Sequence, residues 1–226
     1  MTIQGIEGVR ESALAGDVPL PAESAPAPWD VRLQAVVWWH RAAPGAEEHL
    51  PARLRGRRTL PLTIGAFVRY LETPVGPYHE VLGAPVLLAG WPLPAAMVPF
   101  IAVDSPASVH GGRTNWALPK VLARFDWPAS TERGFEADAE GDGWSVLASV
   151  RPRPRAFPVA APLRNRQVTG AGEEIVFDTQ ARGRARPATV ELETRGPTLP
   201  RWLRSGRHAA LVIDEARATV GAAEGV

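Results

Sequence analysis

Lys120 is the only lysine in this 226-residue chain; the other 24 of its 25 lysine and arginine side chains are arginine. It stands in Gly111-Gly112-Arg113-Thr114-Asn115-Trp116-Ala117-Leu118-Pro119-Lys120-Val121-Leu122-Ala123, among Trp116, Leu118, Val121 and Leu122, with no acidic residue nearby in sequence. An amine in water has a pKa of about 10.4, which leaves about one in 2500 unprotonated at neutral pH. Desolvation disfavours the ammonium and can lower that value by about 3 to 5 pKa units. A lysine relieved of its proton attacks carbonyl carbons and forms a Schiff base. The apolar neighbourhood therefore predicts a depressed pKa for Lys120 and imine chemistry on a carbonyl substrate. An arginine-, alanine- and proline-rich composition also leaves a lone lysine through coding bias, so uniqueness alone does not establish catalysis.

Much other chemistry is excluded. There is no cysteine, which removes disulfides, thiolate nucleophiles and thiolate metal sites and fits a reducing cytoplasm. The five histidines, His40, His49, His79, His110 and His208, show no zinc-ligand spacing, so no metal is expected. No G-x-S-x-G elbow, P-loop or dinucleotide fingerprint is present, and Gly111-Gly112-Arg113 is too short for a phosphate cradle. A net charge of +1 points to neither nucleic acid nor a membrane surface. The basic run Arg53-Leu54-Arg55-Gly56-Arg57-Arg58 reads as a solvated loop, and Arg151-Pro152-Arg153-Pro154-Arg155 as an exposed connector.

The elements that must position Lys120 are strands. Twenty-three prolines and 21 glycines favour many short strands and turns over long helices. Strands are expected at 31–40, 62–71, 78–88 and 97–103, with a hairpin over 134–152 around Glu140-Gly141-Asp142-Gly143. Residues 118–124 suit either a short helix or a strand, with Pro119 compatible with both. Further strands are expected at 188–194 and 208–213, with a helical turn at 200–203. Residues 1–28 carry no signal-peptide pattern and read as a mobile or draped arm; 29–226 reads as one β-rich α+β domain. The uncharged stretch 81–103 is interrupted by Pro85, Pro92, Pro94 and Pro99 and predicts buried strands around a turn, not a membrane span.

A second chemical feature precedes the lysine. Arg69-Tyr70-Leu71-Glu72-Thr73-Pro74-Val75-Gly76-Pro77-Tyr78-His79-Glu80-Val81 delivers a carboxylate directly after a rigid turn. The Tyr78-His79-Glu80 motif, followed by Gly112-Arg113 and then Pro119-Lys120, resembles the acetoacetate decarboxylase family. The Thr-Pro-Val-Gly-Pro-Tyr run is similar to its smaller bacterial members, and the specific likeness covers about residues 62–125.

That resemblance implies a cone-shaped β-barrel-like domain that forms homo-oligomers, needs no cofactor and takes a small keto acid. By position, Lys120 matches the imine-forming residue and Glu80 the carboxylate that orients substrate or relays a proton. Glu72 falls near the family's second acidic position. Arg32 or Arg41 falls near its substrate-carboxylate residue, and Arg113 is a further arginine able to hold a carboxylate by bidentate hydrogen bonds. Tyr78 and Trp116 are expected as cavity walls. Typical members carry a second lysine after the catalytic one; Val121 stands there in this chain. The implied activity is Schiff-base decarboxylation of a β-keto or 2-oxo acid. An imine-dependent aldolase or dehydratase, and a non-catalytic barrel binding an apolar ligand, remain the alternatives.

Overall fold

The computed structural model describes residues 20–128 and 130–226. Fifteen strands and one α-helix follow in order: β1 (Trp29–Arg41), β2 (Thr59–Leu60), β3 (Leu62–Glu72), β4 (Tyr78–Ala84), β5 (Leu87–Leu88), β6 (Ala95–Ala96) and β7 (Phe100–Val103). Then come α1 (Pro106–Trp116), β8 (Val121–Leu122), β9 (Arg124–Asp126), β10 (Phe135–Gly141), β11 (Trp144–Pro152), β12 (Phe157–Val168), β13 (Glu174–Arg195), β14 (Gly206–Val220) and β15 (Glu224–Gly225). No helix among the described residues is long and apolar enough to cross a membrane.

The strands form one sheet in the order β2-β5-β6-β12-β13-β14-β1-β3-β4-β7-β8; β11 and β15 pair with β13, β10 with β11, and β9 with β10. The sheet is curled but open, in keeping with the expected β-rich, barrel-like sheet and short of a closed barrel. No pairing among the described residues joins β2 to β8, both only two residues long. Alternation along β1 sorts side chains onto two faces. Val36 and Trp38 enter the main core with Phe67, Val81 and the β10–β11 residues Ala137, Ala139, Val146 and Ala148. Gly65 is needed there, because a Cβ would lie 2.4 Å from the Trp38 ring. Val31, Leu33, Ala35 and Val37 face the other way and line a hollow inside the curl.

The expected strands at 31–40, 62–71, 78–88 and 97–103 are present with shifted ends, and the 134–152 hairpin pairs Phe135 with Val150 through Gly141 with Trp144. Residues 118–124 resolve as strand, not helix: β8 and the start of β9 flank Ala123. Residues 200–203 form a hydrogen-bonded turn, Leu203 N–H to the Pro200 carbonyl, and no helix. Among the unexpected elements are α1, β12 and the first half of β13. The α1 sequence contains Gly111 and Gly112, poor helix formers, and is held by its ends: Ser105 caps the Ser108 N–H and Pro106 sits in the first turn. β12 carries Pro158 and Pro162, which lack a donor. It tolerates them because its outer side pairs with β6 only at Arg164 and Asn165.

Two features position the site. The chain leaves β7, crosses through α1 and returns as β8, parallel to β7, with Ala102 opposite Val121 and Val103 opposite Leu122. Residues 20–28 lie against α1: the Ala25 carbonyl accepts from Trp29 Nε1 and Asn115 Nδ2. On the far wall, the buried Arg186 of β13 holds Asp214 of β14 through Nε and Nη2 and reaches the Glu132 and Thr131 carbonyls at 3.0 and 2.7 Å.

Replacing Arg186 with leucine orphans that carboxylate and both carbonyls. Complete loss of a buried partner costs about 3–5 kcal/mol. Because the Asp214 side chain is 33% exposed, the expected loss is about 2–3 kcal/mol, read as a lower denaturation midpoint in urea. An unchanged midpoint would show that this junction does not hold the wall.

Candidate functional site

The β7–α1–β8 crossover delivers Lys120 one residue before β8, and the sheet register brings it beside Glu80. Glu80 of β4 pairs with Val103 of β7, which pairs with Leu122 of β8. Lys120 lies two residues before Leu122, so it shares that face; Tyr78 lies two residues before Glu80 and does the same. The result is a buried cluster. Lys120 Nζ donates to Glu80 Oε2 at 2.7 Å, to Ser108 Oγ at 2.9 Å and to Tyr78 Oη at 3.3 Å. Tyr70 Oη donates to the other Glu80 oxygen at 3.3 Å, and the Tyr70 and Tyr78 rings stack at 4.4 Å. Lys120 is 3% exposed and Glu80 2%.

Helix α1 supplies the floor. Ser108 and Gly112 are four residues apart and share a helix face. Ser108 accepts from the amine, and the lysine stem runs over Gly112, where a Cβ would lie 2.6 Å from Lys120 Cδ and 2.7 Å from Cε. The adjacent Gly111 gives the same clearance to Trp29, at 2.5 Å. Arg113 Nε donates to the Lys120 carbonyl at 2.9 Å. The Lys120 N–H donates to the Leu118 carbonyl.

The electrostatics differ from the sequence expectation. Burial is the largest single influence on Lys120 and lowers its pKa, as the apolar neighbours predicted. The Glu80 charge, with the Tyr78 hydroxyl, outweighs it, so the resting ammonium is held above its ordinary value. The local sequence contained no acid, and the one that matters arrives from forty residues away. Burial, followed by the Glu80 charge, pushes the Tyr70 hydroxyl well up; burial likewise raises Tyr78, against the lowering effect of Lys120. Both stay as phenols. Burial lowers the Arg113 guanidinium to about 10.

The cluster closes one end of a cavity of about 550 Å³. Tyr78, Glu80, Trp116 and Lys120 line it, so four of the six expected site residues come together there. Trp116 is pinned by its indole N–H to the Gly221 carbonyl at 2.7 Å and meets Trp29 edge-on at 4.9 Å. Arg113 is not on the cavity wall; its Nε braces the Lys120 backbone from behind. Glu72 lies on the outside, bonded to Arg32 Nη2 at 2.7 Å in an open polar groove with Asp30 and Arg217. Arg32 itself pairs with Glu72 and Glu215, and Arg41 ends β1 exposed; neither lines the cavity. Ser108, Tyr70 and Gly112 were not anticipated. The Ser105-Pro106 start signal would have placed α1, and with it Ser108 and Gly112 on one face.

Gly112→Ala isolates the clearance. Alanine improves helix propensity by about 0.5–1 kcal/mol, which offsets part of the overlap at this buried position, and an unchanged urea midpoint separates a displaced stem from lost folding. The added methyl must displace the lysine stem from three acceptors. Reductive trapping of a keto acid on Lys120 should slow by about 10–100-fold, and a wild-type rate would show that the stem slides freely.

A family model described as acetoacetate decarboxylase matches residues 18–170. No curated protein matches. Among solved structures, an acetoacetate decarboxylase is similar at TM-score 0.69 and 14% identity, covering 90% of this chain and 91% of that one. An acetoacetate decarboxylase-like enzyme from Sphingomonas wittichii is similar at TM-score 0.68 and 14% identity, over 95% and 99% of the two chains. The enduracididine biosynthesis enzyme MppR, in complex with pyruvate, is similar at TM-score 0.64 and 16% identity, over 89% and 91%. The structural likenesses establish the shared fold, and the family model, spanning more than half the sequence, establishes that this chain belongs to the acetoacetate decarboxylase family.

Proposed function

We propose that the protein is a Schiff-base enzyme that decarboxylates a β-keto acid, with Lys120 as the imine-forming residue and Glu80 as its proton relay. The observation that carries this reading is a buried amine 2.7 Å from a buried carboxylate at the end of a cavity. Glu80 takes a proton from the ammonium, freeing Nζ to add to the ketone carbon. The same proton leaves with the carbinolamine oxygen as water, giving a protonated imine with no net proton change. The bond to the substrate carboxylate then breaks, CO2 departs, and the electron pair forms the enamine as the imine nitrogen becomes neutral. One proton taken up at carbon, relayed by Glu80, and hydrolysis release the ketone and the amine. Tyr78 and Ser108 hold Nζ; Trp116 is a wall.

A raised amine pKa does not contradict this reading. The amine needs an acceptor within reach at the moment of attack, and Glu80 is that acceptor. Val121 in place of a second lysine is consistent with it too, since no neighbouring cation is required when a carboxylate removes the proton. Arg113 fits a positioning role, holding the Lys120 carbonyl.

A second reading keeps the imine and replaces CO2 loss by aldol condensation or dehydration. It is favoured by the likeness to MppR, whose solved complexes include a condensation product of pyruvate and imidazole 4-carboxaldehyde. Both routes pass through an enamine on the same lysine, so the products decide: CO2 from a β-keto acid alone, or a condensed product from a 2-oxo acid with an aldehyde.

Lys120→Met should abolish the borohydride-trapped adduct and reduce turnover by about 10³-fold or more; retained turnover would end the imine proposal. Glu80→Gln gives the pH test. In the wild type the free-amine fraction climbs with pH towards a pKa above the ordinary lysine value. Removing the charge that raises it leaves desolvation, which lowers it. The trapping profile should therefore level off at a lower pH in Glu80→Gln, with a reduced plateau. A profile unmoved or shifted upward would show that Glu80 does not control the amine.

A further inference from the structure

We infer that the cavity selects a ketone-bearing acid with a long apolar tail, a medium-chain β-keto acid in preference to acetoacetate. The inference deepens the imine chemistry proposed for Lys120 and depends on it for the reaction, though not for the choice of ligand. The cavity encloses about 550 Å³, within the range of about 300–1,000 Å³ that takes drug-sized ligands. The reacting head group needs only the end formed by Lys120, Glu80 and Tyr78.

The remaining wall is mostly hydrocarbon, with Arg164 of β12, paired with Asp178, and the exposed Arg182 of β13 as its charged exceptions. Leu33 and Ala35 of β1, Val68 of β3, Leu82 of β4, Ile101 of β7 and Ile213 of β14 all face the cavity. They do so because each strand turns alternate residues to the same side. The buried charges on this wall are Lys120 and Glu80, side by side at one end. Thr179 and Asn165 are uncharged polar exceptions on β13 and β12.

Such a surface gains little from water and much from a hydrocarbon occupant. The exposed rim of the wall carries apolar side chains beside Arg164. Leu163, 53% exposed on β12, stands at the cavity edge beside Pro94, whose neighbour Ala95 pairs with Arg164. A tail lying along this wall has its keto group at Nζ and its carboxylate at the charged end. Loss of CO2 leaves a methyl alkyl ketone, uncharged and suited to the same wall.

Each methylene moved from water into an apolar site is worth about fourfold in kcat/KM. The wild-type protein is incubated with cyanoborohydride and, in turn, acetoacetate, β-keto octanoate and β-keto dodecanoate, and the adduct on Lys120 is followed by mass. In parallel, its thermal midpoint is measured with acetone and with methyl heptyl ketone. Trapping efficiency should climb by about fourfold per methylene through the medium chains, and methyl heptyl ketone alone should raise the midpoint. Fastest trapping with acetoacetate, or no stabilisation by the longer ketone, overturns the inference. If no keto acid is trapped while methyl heptyl ketone still stabilises, the apolar selection stands and the imine chemistry falls.

Discussion

The structure turns on a buried ammonium that has found a partner for every proton. A lysine side chain has three donors, and Lys120 meets three acceptors: a carboxylate, a hydroxyl and a phenol. Stripping an ion pair of water costs several kcal/mol per ion, and attraction repays that only when the geometry is good and the spare lone pairs are filled. Glu80 meets this condition through Tyr70 on its second oxygen. A hydrophobic pair of the same volume would serve stability as well or better. Keeping the charges here fits the imine chemistry proposed for Lys120.

Every element near the pair answers to that requirement. Strand β4 places Tyr78 and Glu80 on one face by alternation, and the register through β7 to β8 fixes the height of Lys120 against them. Helix α1 adds Ser108 and, through Gly112, the channel for the lysine stem. The long β13, paired with β11, β12, β14 and β15, bends the sheet far enough for β12 and β3 to line one hollow although three strands separate them in the order.

How much of this was visible in the residues depends on the range of each interaction. Glu80 and Lys120 were found because a strand's period and a proline-lysine dipeptide are local features, ordered along the chain as in a known family. Their mutual effect was not. The apolar neighbours of Lys120 predicted a depressed pKa, and the structure raises it because the decisive charge crosses from another strand. Ser108 and Gly112 escaped because α1 has weak intrinsic propensity and is imposed by its cap and by packing. Glu72 shows the converse: proximity in sequence to the right motif put it on the list of acids, and one strand-end turn sends it outward to Arg32. The curled, barrel-like sheet was anticipated from the family likeness; strand content alone does not reveal whether the two ends meet.

The near-total replacement of lysine by arginine has a practical side. Guanidinium groups do not react with acylating or reductive-alkylating reagents as amines do, and the one side-chain amine in the chain is 3% exposed. In the native state a reagent reaches the lysine complement only through the cavity, so an amine-selective label too bulky for about 550 Å³ reacts once unfolding unmasks it. Uptake of such a bulky label at this single position is a direct gauge of how often the interior opens.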